Sequence, residues 1–247
     1  MEAYALTDIG QVRSMNQDYI YSSPEMVGSL PNLFLVADGM GGHKAGDYAS
    51  RFAVENLVIY INRAGKGSPV MQLKMGIEEV NERLYEESLK REELKGMGCT
   101  LVAGVVEDGT LYVANVGDSR LYLIQAGAIR QVTRDHSYVE EMVAMGQMER
   151  DSSAYNRQKN IITRAMGISE TVDTDFFEVD LEPGDYFLLC SDGLTNMVED
   201  RDICRIVSGP GTMREKASAL IAEANRRGGN DNIAVVLVKP LESGVTT

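Results

Sequence analysis

The sequence predicts an α+β fold in which antiparallel sheets pack together and helices cover the outside. Three observations predict it. Apolar runs of strand length recur along the chain, turn sequences join several of them, and the helical periodicities fall in separate blocks. Regular alternation of strand and helix would have pointed to a doubly wound parallel sheet instead.

Taken in order, the first predicted strand is Asn32 to Ala37. Two helical stretches follow. In the earlier one, Ala49, Phe52, Ala53 and Leu57 share a face; in the later, Leu73, Ile77, Val80 and Leu84 repeat at four-three-four spacing and form one apolar stripe. Strands are expected next at Thr100 to Val106, Leu111 to Val116 and Leu121 to Ile124. Asp108-Gly109 lies between the first two and suits a tight hairpin, because both residues tolerate positive φ.

Asp135 to Arg164 is polar, carries Met142, Met145 and Met148, and interrupts the strand series. It reads as an excursion over a site. A turn at Glu182-Pro183-Gly184-Asp185, with Pro183 pre-setting φ and Gly184 left-handed, leads into a strand at Tyr186 to Cys190. Thr212 and Glu215 form a capping box that opens a helix with Ala217, Leu220, Ile221 and Ala224 facing inward. A last strand spans Ile233 to Val238. No repeat, low-complexity segment or linker divides the chain, so one domain is expected over residues 1–240, with a tail at 241–247.

Composition excludes several classes. The 247 residues are 44% hydrophobic and 25% charged, as in ordinary globular domains. No apolar run approaches the ~18 residues that span a bilayer, and the N-terminus has no signal-peptide pattern. A net charge of −13 repels polyanions, which argues against nucleic acid as a partner. Cys99, Cys190 and Cys204 are odd in number and lack CxxC spacing, which fits buried thiols in a reducing cytoplasm.

Four segments share one design, an apolar strand meeting an Asp beside a turn former. They contain Asp38-Gly39, Gly117-Asp118-Ser119, Ser191-Asp192-Gly193 and Asn230-Asp231-Asn232. Three aspartates close a strand and the fourth opens one. If the last strand runs antiparallel to those ending at Asp38 and Asp192, the three carboxylates meet at one edge. A single Asp-Gly is most often only a turn. Four acids gathered at one edge repel unless cations neutralise them, and oxygen-only ligation points to Mg²⁺ or Mn²⁺. Two such ions ~3.5–4 Å apart can activate water and clamp an in-line displacement at phosphorus. Arg13 adds a planar, bidentate phosphate binder, and Asp18 an acceptor for ordered water.

With these residues assembled, Arg13-x-x-Asn16-Gln17-Asp18, Ala37-Asp38-Gly39-Met40-Gly41-Gly42-His43, Gly98-Cys99-Thr100, Asn115-Val116-Gly117-Asp118-Ser119-Arg120, Asp135-His136-Ser137, Ser191-Asp192-Gly193-Leu194 and Asp231-Asn232-Ile233 resemble, in order, the signatures of the protein phosphatase 2C family. The resemblance spans roughly residues 1–240 and is similar to the compact bacterial branch that opposes eukaryotic-like Ser/Thr kinases. It implies a layered α-β-β-α sandwich of two mainly antiparallel sheets and a monomeric serine/threonine protein phosphatase. Mg²⁺ or Mn²⁺ would bind as two ions per site, with a third, weaker position in bacterial members, and a metal-bridging hydroxide would attack directly. By position, Asp38, Asp192 and Asp231 would hold one ion, Asp38 and the Gly39 carbonyl the second, and Asp118 with Asp192 the third. Arg13 would hold the substrate phosphate, Asp18 would orient water, and residues 135–165 would form a flap. Animal members carry a histidine directly after Asp-Gly. Here that position is Met40, so His43 is the candidate general acid, with His136 a weaker one and a metal-bound water another.

Rival readings are weak. Gly117-Asp118-Ser119 superficially resembles a serine-esterase motif, but no histidine follows His136 to serve as base. A cysteine phosphatase needs Arg six residues after Cys, and Val105, Asn196 and Pro210 stand there. No phosphate-binding loop of the Walker type is present. Two alternatives remain: a silent phosphoprotein-binding module on the same scaffold, and a hydrolase acting on small phosphoesters.

Overall fold

The computed structural model describes residues 1–41, 45–150 and 152–240. Its strands are β1 (Glu2–Asp8), β2 (Asp18–Ser23), β3 (Leu33–Met40), β4 (Gly98–Cys99), β5 (Leu101–Glu107), β6 (Thr110–Val116), β7 (Arg120–Gln125), β8 (Ala128–Gln131), β9 (Asp175–Asp180), β10 (Tyr186–Cys190) and β11 (Ile233–Lys239). The helices are α1 (Ala45–Arg63), α2 (Pro69–Lys90), α3 (Tyr138–Ala144), α4 (Ser153–Gln158), α5 (Asp192–Thr195), α6 (Asp200–Ser208) and α7 (Met213–Arg226). One sheet has the order β1-β11-β10-β7-β8. The other runs β2-β3-β5-β6-β9, with β4 paired to β3. Every ladder is antiparallel.

Side-chain alternation builds the layers. Phe34 and Val36 of β3, Phe187 and Leu189 of β10, and Ala234, Val236 and Val238 of β11 fill the space between the sheets. The Phe34 and Phe187 rings meet edge-on there, 5.6 Å apart. The alternate residues of β3, Leu33, Leu35 and Ala37, face α1 and α2 in a second core. Those of β10 and β11, including Leu188, Val235 and Leu237, face α6 and α7 in a third. The result is the expected α-β-β-α sandwich. Central strands buried on both faces read as continuous apolar runs, which is why the sequence revealed them.

The expected hairpin and capping box are present: Asp108 and Gly109 take φ values of 50° and 82°, and Thr212 and Glu215 cap α7 reciprocally. The edge strands differ from the sequence reading. β1, β2, β8 and β9 are half-exposed and carry short mixed patterns such as Glu-Ala-Tyr-Ala-Leu-Thr-Asp, so they lack the apolar run. Asp38 also does not end its strand, because β3 continues to Met40 through pairing with β2 and β4.

Residues 135–165 leave the sandwich at His136 and return at Thr163. The stem is closed by Tyr138 N–H to the Ile161 carbonyl (2.8 Å) and Thr163 N–H to the His136 carbonyl (2.8 Å). Within the excursion, the buried Glu140 carboxylate accepts from Tyr155 Oη (2.8 Å) and Arg150 Nη2 (2.6 Å), joining α3 to the stretch around α4. The expected tail, 241–247, lies outside the described residues. Among the described residues, no helix is long and apolar enough to cross a membrane.

Candidate metal centre

The antiparallel pairing of β10 with β11 brings the end of one beside the start of the other, so Ser191 N–H donates to the Ala234 carbonyl at 3.1 Å. Asp192 and Asp231 thereby face the end of β3 across the sandwich. A cavity of about 350 Å³ opens there, and Arg13, Asp38, Gly39, Asp118, Asp192 and Asp231 all line it. Asp18 lies beneath, directly opposite Asp38 in the β2–β3 register. Every predicted site residue except His43 is at this edge; His43 lies outside the described residues.

Each acid is held by its backbone. Asp38 N–H donates to Thr100 Oγ1 (2.9 Å) and its carbonyl accepts Thr100 N–H (2.8 Å). Gly39 tolerates no side chain, because a Cβ would lie 2.1 Å from the Gly46 carbonyl oxygen of α1. Asp118 follows Gly117, whose φ of 103° suits glycine. Asp192 opens α5, and its Oδ2 accepts from Asn196 Nδ2 at 2.8 Å. Asp231 Oδ1 accepts from Asn232 N–H (2.9 Å), and its Oδ2 from Arg13 Nη2 (2.7 Å). That ion pair is 51% and 33% exposed, so it contributes little to stability and yields easily to another anion.

Electrostatically the site is unsatisfied. Burial raises the Asp38 carboxyl well above the ordinary range, and Asp18, Asp192, Asp118 and Asp231 push it further. Burial lifts Asp18 to about 8 despite the hydrogen bond from Ser191. Asp118 rises to about 7, through burial and then Asp192. Asp192 is raised by burial and by Asp231. Oδ1 of Asp18 and Oδ1 of Asp192 are buried with no hydrogen-bond partner. Orphaned buried oxygens among acids that repel one another fit a hard divalent cation with oxygen ligands. Among the described residues no three acids already close on one point; Arg13 and Asn196 hold oxygens of Asp231 and Asp192 that ligation would reclaim.

A second cavity of about 180 Å³ shares Asp118 and Asp192 and is bounded by Tyr155, Asn156, Lys159 and Asn160 of the excursion. Both ring nitrogens of His136 face protein partners. Its Nδ1 accepts from Gly117 N–H (3.1 Å), and its Nε2 lies 3.2 Å from Asp175 Oδ2. Burial lowers its pKa, and the ring braces the Asp118 loop from behind.

Several supporting residues stood in the quoted motifs without a role assigned from the sequence. Ser191 Oγ donates to Asp18 Oδ2 at 2.7 Å and accepts from Ala234 N–H. Asn232 Nδ2 donates to the Ile9 and Met15 carbonyls, while its Oδ1 accepts Gln17 N–H, tying down the loop that carries Arg13. Their sequence signals were adjacency to a candidate aspartate and membership of the quoted motifs.

Comparison with known proteins identifies the family. The protein phosphatase 2C family model matches residues 11–237. A serine/threonine phosphatase stp of Listeria monocytogenes is 39% identical over 249 residues, covering 97% of this chain and 96% of that protein. Protein phosphatase PhpP of Streptococcus pneumoniae is 38% identical, covering 96% and 97%. The crystal structure of Stp1 from Staphylococcus aureus superimposes with a TM-score of 0.89 at 35% identity, covering 97% of this chain and 95% of that one. The chain belongs to the protein phosphatase 2C family.

Proposed function

We propose that this protein phosphatase hydrolyses phosphoserine and phosphothreonine in proteins, with Mg²⁺ or Mn²⁺ as cofactor. The observation that carries the reading is the cavity lined by Asp38, Asp118, Asp192 and Asp231 beside Arg13, with Asp18 beneath Asp38 and an oxygen each of Asp18 and Asp192 buried and unpartnered. Asp38, Asp192 and Asp231 would hold one ion, Asp38 and the Gly39 carbonyl a second, and Asp118 with Asp192 a third. Bound divalent cations lower the pKa of water and draw charge from phosphoryl oxygens.

The chain's own residues do the rest. Arg13, half-exposed at the rim, turns from Asp231 to grip two phosphate oxygens and offsets charge that grows on them. Asp18, held by Ser191 through Oδ2, would use its unpartnered Oδ1 to orient water. His43 would return the proton to the departing Ser or Thr oxygen. Residues 1–240 would act as one catalytic domain and as a monomer, with residues 135–165 as a flap setting access to Asp118 and Asp192. A Ser/Thr kinase must first make the phosphomonoester. The three free, buried cysteines support a cytoplasmic setting.

Assays of phosphothreonine and phosphotyrosine peptides and small phosphate metabolites, each with Mn²⁺, Mg²⁺ or EDTA, test the reading. Phosphothreonine should be favoured with metal and inert with EDTA. Full activity in excess chelator overturns metal dependence; faster turnover of metabolites moves the substrate class. Arg13→Ala should raise KM about 10- to 100-fold, the worth of a charge-assisted hydrogen bond, with kcat changing much less. Arg13→Lys should recover only part, since an ammonium cannot bind two oxygens in the same planar fork. Unchanged KM and kcat in Arg13→Ala would remove the residue from the site.

A further inference from the structure

Two buried hydroxyls lie between the acids, and neither is among the proposed ligands. Thr100 Oγ1 and Ser119 Oγ are 2.7 Å apart, and their residues are 2% and 0% exposed. Each belongs to a segment that carries a site acid. Thr100, between β4 and β5, is bonded twice to the Asp38 backbone. Ser119 directly follows Asp118. The hydrogen bonds therefore run continuously from Asp38 N–H to Thr100 Oγ1 and on to Ser119 Oγ. A hydroxyl can accept and donate together, so Thr100 serves both neighbours whichever oxygen donates.

The Thr100 side chain seats the Asp118 loop sterically as well. A Cβ on Gly117 would lie 2.6 Å from Thr100 Cγ2, so the threonine methyl fits where glycine leaves room. From the other side, His136 holds Gly117 through both backbone groups: its Nδ1 accepts Gly117 N–H, and its own N–H donates to the Gly117 carbonyl at 3.0 Å. The loop is thus pinched between Thr100 and His136. Asp118 owes its place to that pinch.

We propose that Thr100 and Ser119 are positioning residues that set the distance of Asp118 from Asp38, and so the affinity of the cation position shared by Asp118 and Asp192. This rests on the metal reading above. Cations of this kind demand ligands within a few tenths of an ångström, so a small shift of one loop falls on the ion it serves. Hydrogen bonds behind metal ligands commonly govern affinity 10- to 100-fold.

The two residues differ in reach, and the difference is the test. Ser119→Ala removes only the link to the Asp118 loop; it should weaken the weakest class of Mn²⁺ binding about tenfold and leave tighter classes alone. Thr100→Val also removes the acceptor of Asp38 N–H and should weaken both classes. Thr100→Ser keeps the hydroxyl and should restore the tight class. Calorimetric Mn²⁺ titration of the full chain, with free Mn²⁺ followed by electron paramagnetic resonance and folding by circular dichroism, reads these outcomes. Failure of the wild-type protein to bind Mn²⁺ overturns the metal reading itself. Graded binding by wild type with an identical curve for Ser119→Ala overturns this inference alone. An equal loss across all classes in Ser119→Ala also overturns it, because that marks a general structural role. If Thr100→Val fails to fold, Ser119→Ala still decides.

Discussion

Asp38→Asn should lower turnover of a phosphothreonine peptide by on the order of 10³-fold or more, about 4 kcal/mol or more of transition-state stabilisation. The substitution keeps the shape and both backbone bonds to Thr100. It removes the charge that faces Asp18 and that Asp192, Asp118 and Asp231 all sense. Asp192→Asn should behave similarly, since Asp192 borders both cavities, and EDTA should do the same to the wild type. Relief of repulsion predicts the opposite effect on folding: without metal, Asp38→Asn should melt higher than wild type. Steady-state kinetics beside thermal melts check both, and a variant retaining a tenth of the activity would remove Asp38 from the chemistry.

Metal-free protein should lose stability as pH rises from 5.5 to 8, with Tm falling by at least about 5 °C, or roughly 1–3 kcal/mol for a chain this size. The raised groups set the sign. Asp18 moves from 3.8 to about 8 and Asp118 to about 7, and Asp38 and Asp192 move the same way. Each therefore favours the folded state fully below about pH 4, and that contribution is lost as pH climbs through the raised values. The lowered carboxyls, Asp175, Asp202, Glu215 and Glu223, contribute above their ordinary range and are lost only in acid, so they stay constant in this window. His136 and the Met1 amino group, both lowered by burial, oppose the trend below their ordinary pKa values, but they are two groups against four. Excess Mn²⁺ should flatten the slope by binding the charged forms. A metal-free Tm that is flat across the window would show that the four carboxyls do not repel one another strongly.

Legibility followed burial on the fold side and local pattern on the site side. β3, β5, β6, β7, β10 and β11 were readable because both faces are apolar, and α1, α2 and α7 because one stripe is. α6 was missed because its apolar residues, Ile203, Cys204, Ile206 and Val207, are interrupted by Arg205 and preceded by three charged positions. The aspartates stood out because each adjoins an apolar run. The roles of Ser191, Thr100 and Asn232 did not, although the motifs contain them, since small polar residues beside turns are common and their use here depends on partners 173, 62 and 215 positions away in sequence.

The sequence by itself determined the layered α+β class, the four strand-associated aspartates, the candidate phosphate-binding Arg13 and the case against cysteine and serine nucleophiles. Only the tertiary structure decided which side chains meet. It placed Asp18 beneath Asp38 through strand register, turned His136 into a brace, and joined Thr100 to Ser119 between two loops. The reason is physical: periodicity and turn chemistry are encoded within a few residues, whereas a buried hydrogen bond or a carboxylate pair exists only once the sheets have closed and excluded water from between distant segments.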